Sequence, residues 1–332
     1  MNPISMYFSW ITVKEEGAYF PHGESFLDWL IAEGPSVPKV REVLYTCRSV
    51  YGVDLFELLR AKYDSSVTFA GRPFQAALFV AVAHFFEEVE RSEIGAVGFW
   101  SAGAGPAYVY SDVFSLATYF EKVMPFLREV RRAFEDTAKR IPLSEVMIEG
   151  EEGEQIEAYV STIVQDTGLS ERVFLKDRRR SNTVHLAGVT DGVAAVRKMI
   201  WARFPGSRQS GLTLHPTVAA HLPLYDRQPI DSILDGLAFE PPRFQLVTTT
   251  GEIIARGSSD QDILRRHFTN ACQGPLDTAA AFDTLAAAGR SMLVVGTPFG
   301  AKVLRRLEQG TYPQPKLITD AMLQRRGASQ TV

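Results

Sequence analysis

Ser101 lies in the run Val97-Gly98-Phe99-Trp100-Ser101-Ala102-Gly103-Ala104-Gly105, a serine on a tight glycine turn. A serine hydroxyl is a weak nucleophile until a base removes its proton, so a partner is required. His221, in Thr217-Val218-Ala219-Ala220-His221-Leu222-Pro223-Leu224-Tyr225, is the strongest candidate. The pair could form a covalent ester with an acyl group and pass it to another nucleophile. Two features weigh against this chemistry. The usual elbow reads Gly-x-Ser-x-Gly, and Phe99 stands where its first glycine belongs. A serine between a strand and a helix is also a common N-cap.

The surrounding pattern is the one such a serine needs. Residues 94–97 are an apolar run that reads as a strand, and residues 106–120 carry a helical apolar pattern. Strand, sharp turn and helix would stand the hydroxyl at the carboxyl edge of a sheet, next to a helix N-terminus. Elsewhere a first strand is expected over 6–12 and helices over 25–32, 38–50, 55–61 and 73–89. A helix over 115–138 should kink or break at Pro125. The texture changes near Ile141. Short strands at 146–148, 173–175, 183–187 and 211–214 alternate with helices at 154–164 and 193–204, a pattern that suggests a ferredoxin-like insert. Strands at 244–249 and 291–295 and a helix at 279–288 return the chain to the larger unit. The expected organisation is a large subdomain over 1–141 and 215–332, with a small one over 142–214.

Composition limits the remaining classes. The chain has 332 residues, 45% hydrophobic and 22% charged, which fits a globular protein with a sizeable core. Its net charge of −4 argues against a nucleic-acid partner. Two cysteines, Cys47 and Cys272, give no disulfide framework and no metal-ligand spacing. No stretch approaches the roughly 18 apolar residues of a membrane span, and no signal pattern opens the chain, so a cytoplasmic protein is expected. His22, His84, His185, His215 and His267 lack the company of other ligands, so neither a metal nor a cofactor is expected.

Taken in order along residues 6–307, several short motifs resemble the malonyl-CoA:acyl-carrier-protein transacylases and the acyltransferase domains of polyketide synthases. The family's Gly-His-Ser-Leu-Gly-Glu elbow matches Phe99-Trp100-Ser101-Ala102-Gly103-Ala104 without gaps. Its Val-Leu-Ser-Leu continuation matches Val113-Phe114-Ser115-Leu116, and its Thr-Gln-Pro-Ala-Leu helix start is similar to Phe74-Gln75-Ala76-Ala77-Leu78. Its His-Ser-Pro-Leu-Met motif is similar to His221-Leu222-Pro223-Leu224-Tyr225. Further matches are Phe239 to Pro242 with Thr250-Gly251-Glu252, Pro275-Leu276-Asp277-Thr278, and Val295-Gly296-Thr297-Pro298.

The resemblance implies an α/β fold: a large α/β-hydrolase-like subdomain with a central, mostly parallel sheet, and a small inserted ferredoxin-like α+β subdomain. It implies a monomer that needs no cofactor. Ser101 would accept the acyl group, His221 would be its base, and the Ala102 amide would bind the oxyanion. Gln75 and Trp100 would border the substrate. The partner would be an acyl carrier protein bearing a phosphopantetheine arm, with acyl-CoA as a possible donor, in polyketide, antibiotic or related natural-product assembly. The alternatives are a hydrolase that clears acyl groups from carrier proteins and an inactive carrier-binding scaffold.

Departures from the family pattern are informative. About 25 residues after the serine the family has an arginine that holds a malonyl carboxylate, and here Phe126 stands there. The expected acyl group therefore carries no free carboxylate. The family's Gly-Gln-Gly-Ser-Gln loop, a source of oxyanion donors, is replaced by Thr12-Val13-Lys14-Glu15-Glu16-Gly17. Asp277 occupies a position from which it would orient His221 as the third member of a triad, or cap the helix that follows it. Arg178, Arg179 and Arg180 border the family's cleft and are candidates for docking an acidic carrier protein, or simply a solvated surface run.

Overall fold

The computed structural model describes residues 4–8, 36, 38–52, 54, 91–150, 153–180, 182–214, 216–289, 291–295 and 316–317. The helices expected over 25–32, 55–61 and 73–89, and with the last of these Gln75, lie outside those residues. So does the segment 12–17 that replaces the family's glutamine loop.

In chain order the elements are β1 (Ile4–Phe8), α1 (Pro38–Tyr51), β2 (Ile94–Phe99), α2 (Ala104–Tyr110), α3 (Met124–Arg140) and β3 (Leu143–Glu149). There follow α4 (Gly153–Asp166), β4 (Val173–Arg180), β5 (Thr183–Val189), α5 (Thr190–Arg203) and β6 (Arg208–Gln209). The chain continues through β7 (Gln245–Val247), β8 (Ile253–Ile254), α6 (Gln261–Gln273), α7 (Thr278–Ala288), β9 (Ser291–Val295) and β10 (Lys316–Leu317).

The first sheet has the order β10-β9-β1-β2-β7-β8, parallel throughout except for the β7–β8 pair. Central parallel strands are buried on both faces and so read as continuous apolar runs. The β2 strand, Ile-Gly-Ala-Val-Gly-Phe, is such a run. Helix α7 packs on β1, β2 and β4. A Cβ at Gly98 would collide with the Leu285 side chain of α7.

The second sheet runs β4-β5-β3-β6 and is antiparallel. Its elements follow the order β-α-β-β-α-β, and it has its own core. Ile156, Val160, Ile163 and Val164 line one face of α4, and Val193, Val196 and Ile200 one face of α5. They meet Val146, Ile148, Val184 and Leu186 from the sheet. The last strand of this sheet is Arg208–Gln209 and not 211–214, where Thr213 makes only a single bridge to Glu145.

Two further differences from the sequence pattern concern helices. The 106–120 pattern is divided at residues 111–115, where Ser115 caps a new helical stretch. That stretch includes a π turn over Tyr119–Val123 and then becomes α3. Pro125 follows directly on that π turn, and the chain stays helical through it without a break. Helix α6 has no counterpart in the expected elements. It begins on Asp260, whose side chain accepts from Asp262 N and Ile263 N, and it buries Leu264 and Phe268. Phe268 meets Tyr108, Phe114 and Phe239 at centroid distances of 5.0, 5.3 and 6.2 Å. Such tilted and edge-on pairs contribute about 0.5–1.5 kcal/mol each beyond area burial. No helix among the described residues is long and apolar enough to cross a membrane.

Gly103 sits where the turn after β2 passes closest to β1. A Cβ there would collide with the Phe8 carbonyl oxygen, a backbone atom that cannot swing aside. Gly103→Ala should lower stability by about 1–3 kcal/mol in urea denaturation. Gly206→Ala, whose Cβ would meet open space, should stay within about 0.5 kcal/mol of the parent.

Candidate active site

Ser101 follows directly on β2, at the carboxyl edge of the parallel sheet. The turn is pinned by Trp100 N, which donates to Phe8 O at 2.9 Å, and by Gly103 N, which donates to Trp100 O at 2.9 Å. Ser101 adopts φ +51, a left-handed conformation that costs a non-glycine residue roughly 1–2 kcal/mol. A sharp turn that keeps the hydroxyl out of the helix behind it needs such a backbone. Ala102 and Gly103 complete the 3-10 turn that leads into α2.

His221 comes from far along the chain. The 3-10 turn Pro216–Ala219, which packs against α3, delivers it. It too is left-handed, with φ +65. Of the described residues only Ser101, Asp112 and His221 hold positive φ without being glycine. Two of the three strained residues are therefore the two that meet: Ser101 Oγ lies 2.8 Å from His221 Nε2.

The other ring nitrogen settles the tautomer. His221 Nδ1 is 2.8 Å from the Gly274 carbonyl oxygen. A carbonyl can only accept, so Nδ1 carries the proton and Nε2 accepts from the serine hydroxyl. Burial, then the Lys176 charge, push the His221 pKa down to about 3, with smaller downward contributions from His185 and Arg227. The Gly274 hydrogen bond opposes them. The imidazole is thus neutral at pH 7 and ready to take a proton.

The structure does not bring Asp277 to His221. The place beside Nδ1 is filled by the Gly274 carbonyl. The carboxylate caps α7, where Ala280 N donates to it at 2.9 Å, and pairs with Arg178, whose Nε donates at 3.1 Å. Gly274 ends α6 as its C-cap, so the residue that orients the base stood in a helix absent from the expected elements. Its signals were present: Asp260 ahead of an apolar periodicity at Ile263, Leu264 and Phe268, and a glycine just past the last turn.

Side chains lace the two stretches that carry His221 and Gly274. Tyr225 Oη donates to Gln273 Oε1 at 3.1 Å, Gln273 Nε2 donates to Asp231 Oδ1 at 2.6 Å, and Arg227 donates to Asn270 Oδ1 at 3.1 Å. The Phe134 ring of α3 lies 6.4 Å from the His221 ring and 5.5 Å from that of Tyr225.

The other candidate residues fall as follows. Phe126 is fully buried, against Phe268 at 5.8 Å. Arg128, two residues on and so on the other face of α3, is half-exposed and paired with Glu129 at 3.1 Å. Trp100 packs against the cluster of Tyr7, Val247, Phe282 and Leu285. Arg178 is half-buried and committed to Asp277, and Arg179 and Arg180 end the β4 strand. Among the described residues, no group of three or more His, Cys, Asp or Glu could hold a metal ion.

The fold is that of the acyl-carrier-protein transacylases. A malonyl CoA-acyl carrier protein transacylase from Clostridium perfringens superposes with a TM-score of 0.72 at 13% identity, over 99% of this chain and 97% of that one. A malonyl-transacylase solved in complex with its type II polyketide synthase acyl-carrier protein gives 0.67 at 16% identity, over 95% of each chain. The acyltransferase domain from the second module of the salinomycin polyketide synthase gives 0.67 at 17% identity, over 96% of this chain and 68% of that one. No family model matches the sequence, and no curated protein matches it.

Two outcomes follow from this geometry. Asp277→Asn should leave the rate of Ser101 modification by a fluorophosphonate within a few-fold of the parent, against the roughly 10⁴-fold loss that removing an orienting carboxylate brings. A loss of that size would show that the carbonyl is not what holds the ring. The second outcome concerns pH. His221 takes up its proton at 6.5 when unfolded but only near 3 when folded. Its contribution to stability is therefore complete above pH 6.5 and is lost as pH falls toward 3. For the same reason the modification rate should hold as pH drops through 6.5. An acid limb centred at 6.5 would contradict the buried, neutral imidazole.

Proposed function

We propose that the protein is an acyltransferase that takes an acyl group onto Ser101 and passes it to the phosphopantetheine thiol of an acyl carrier protein. The reading rests above all on the 2.8 Å contact between Ser101 Oγ and the unprotonated His221 Nε2. In the first half-reaction Oγ attacks the thioester carbonyl while Nε2 takes the hydroxyl proton. The tetrahedral intermediate collapses, the C–S bond breaks, and the imidazolium returns its proton to the departing thiolate. The second half runs the same steps with the carrier's thiol as attacking group. The Ala102 amide, in the first turn after the serine, serves the oxyanion. Residues 142–214 would form a small ferredoxin-like subdomain on a larger α/β-hydrolase-like one.

The acyl group would carry no free carboxylate. Phe126 is packed into the core and Arg128 is paired on the outside of α3, so neither offers a buried cation to a malonyl group. A desolvated carboxylate without a partner costs several kcal/mol. A neutral acyl, aminoacyl or peptidyl chain avoids that cost. Arg178 is committed to Asp277, which leaves Arg179 and Arg180 as the candidates to meet an acidic carrier protein.

Intact mass spectrometry tests the proposal. Incubation with neutral acyl-carrier donors should add the acyl mass to the chain, and Ser101→Ala should abolish the adduct. His221→Ala should slow its formation by at least about 100-fold. In competition, neutral donors should load ahead of malonyl donors, and preferential malonyl loading would overturn the substrate assignment. Adding unloaded carrier protein should then discharge the ester to the thiol. Discharge to water alone would make the protein a hydrolase. The Arg179→Glu/Arg180→Glu variant should lower the association rate with the carrier, and more so at low salt.

A further inference from the structure

We propose that Lys176 is a positioning residue, one that holds the turn bearing His221 in place and sets a positive charge beside its imidazole. The proposal rests on the acyltransferase reading of Ser101 and His221.

Lys176 lies in β4, in the small sheet, and interrupts an apolar run, Val173-Phe174-Leu175, that would be expected to continue inward. It is buried, with 8% of its surface exposed. Lysine is almost never buried without a partner, and the partners here are specific. Nζ donates to Glu145 Oε2 at 2.7 Å and to the Val218 carbonyl at 3.3 Å. Val218 belongs to the 3-10 turn that delivers His221. Glu145 also meets His185 Nε2 at 3.4 Å, and against its burial the His185 hydrogen bond and then the Lys176 charge hold its pKa down to about 2.

The backbone of the same strand reaches the other side of the histidine. Leu276 N donates to Lys176 O at 3.1 Å, and Arg178 N donates to Leu276 O at 3.2 Å. Thr278 N and Oγ1 donate to the buried Asp177 carboxylate at 3.3 and 2.8 Å. Gly274, whose carbonyl holds the ring, lies just ahead of this bridge. Residues 176–178 therefore grip both chain segments that hold the imidazole, and the Lys176 side chain touches the turn with a charge.

That charge has a second effect. Among the described residues, the charged or titratable groups that lower the His221 pKa are Lys176 from β4, His185 from β5 and Arg227 ahead of Asp231. All three oppose a second proton on the ring. Lys176 is balanced by Glu145, and Arg227 faces Asp231 at 4.0 Å. Deleting Lys176 frees the Val218 carbonyl and removes the strongest of the repulsions.

The experiment compares the parent, Lys176→Met/Glu145→Gln and Lys176→Arg. The double variant leaves no buried carboxylate without its lysine. Fluorophosphonate modification of Ser101 is followed against pH, and the His221 ring is titrated by NMR with His221→Gln for assignment. In the double variant, modification at pH 7 should slow by at least about 10-fold, the scale on which small misplacements act. Its acid limb and the NMR titration of His221 should both move up toward the ordinary histidine value. Lys176→Arg should keep both low. If the double variant does not fold, Lys176→Gln takes its place. Parent-like rates and titration, or a lowered melting temperature with an unmoved titration, would overturn the proposal. If the parent accepts no acyl group from any carrier protein, the acyltransferase reading fails, and the NMR titration still decides the role of Lys176.

Discussion

The hydrogen bond from His221 Nδ1 to the Gly274 carbonyl joins residues 53 apart in sequence, and the chemistry of the site depends on it. It fixes which nitrogen holds the proton, and with that which nitrogen faces Ser101. A carboxylate in this place would do the same and would also stabilise the imidazolium. A carbonyl supplies the orientation with only a partial charge. The base is accordingly weak and neutral, and burial deepens that character.

Such a bond has to be held by structure, since neither partner is free to search for the other. Both Ser101 and His221 sit at left-handed backbone positions, and strain of this kind persists only where the surroundings over-determine it. For Ser101 the surroundings are two parallel strands and a glycine pressed against the Phe8 carbonyl. For His221 they are the α3 helix, the Tyr225–Gln273–Asp231 chain of hydrogen bonds, and the segment 274–278 laid against β4. The small sheet has its own core, yet its β4 strand bonds directly to Leu276, in the segment that leads from α6 into α7 just past Gly274.

The likeness to solved transacylases extends over nearly the whole chain at 13–18% identity. Identity that low is compatible with one architecture because the core asks for apolar volume in the right pattern and not for particular residues. At Phe126 an apolar side chain is buried against Phe268, and an arginine in the same place would require a buried counter-charge.

The local chemistry was legible in the sequence. The apolar run before Gly98, the small residues around Ser101 and the two rounds of strand and helix after Ile141 each follow from short-range periodicity and turn propensity. Ser101 and His221 stood out because few side chains can act as nucleophile or base. What the sequence did not determine is which groups surround them. A backbone carbonyl leaves no trace in residue type, so Asp277, a visible carboxylate, drew attention that belonged to Gly274. The Arg178–Asp277 pair and the Lys176–Val218 contact join segments 99 and 42 residues apart. Those partners are chosen by how β4 packs against the 216–219 turn and the start of α7, and packing is a property of the folded chain that no local pattern encodes.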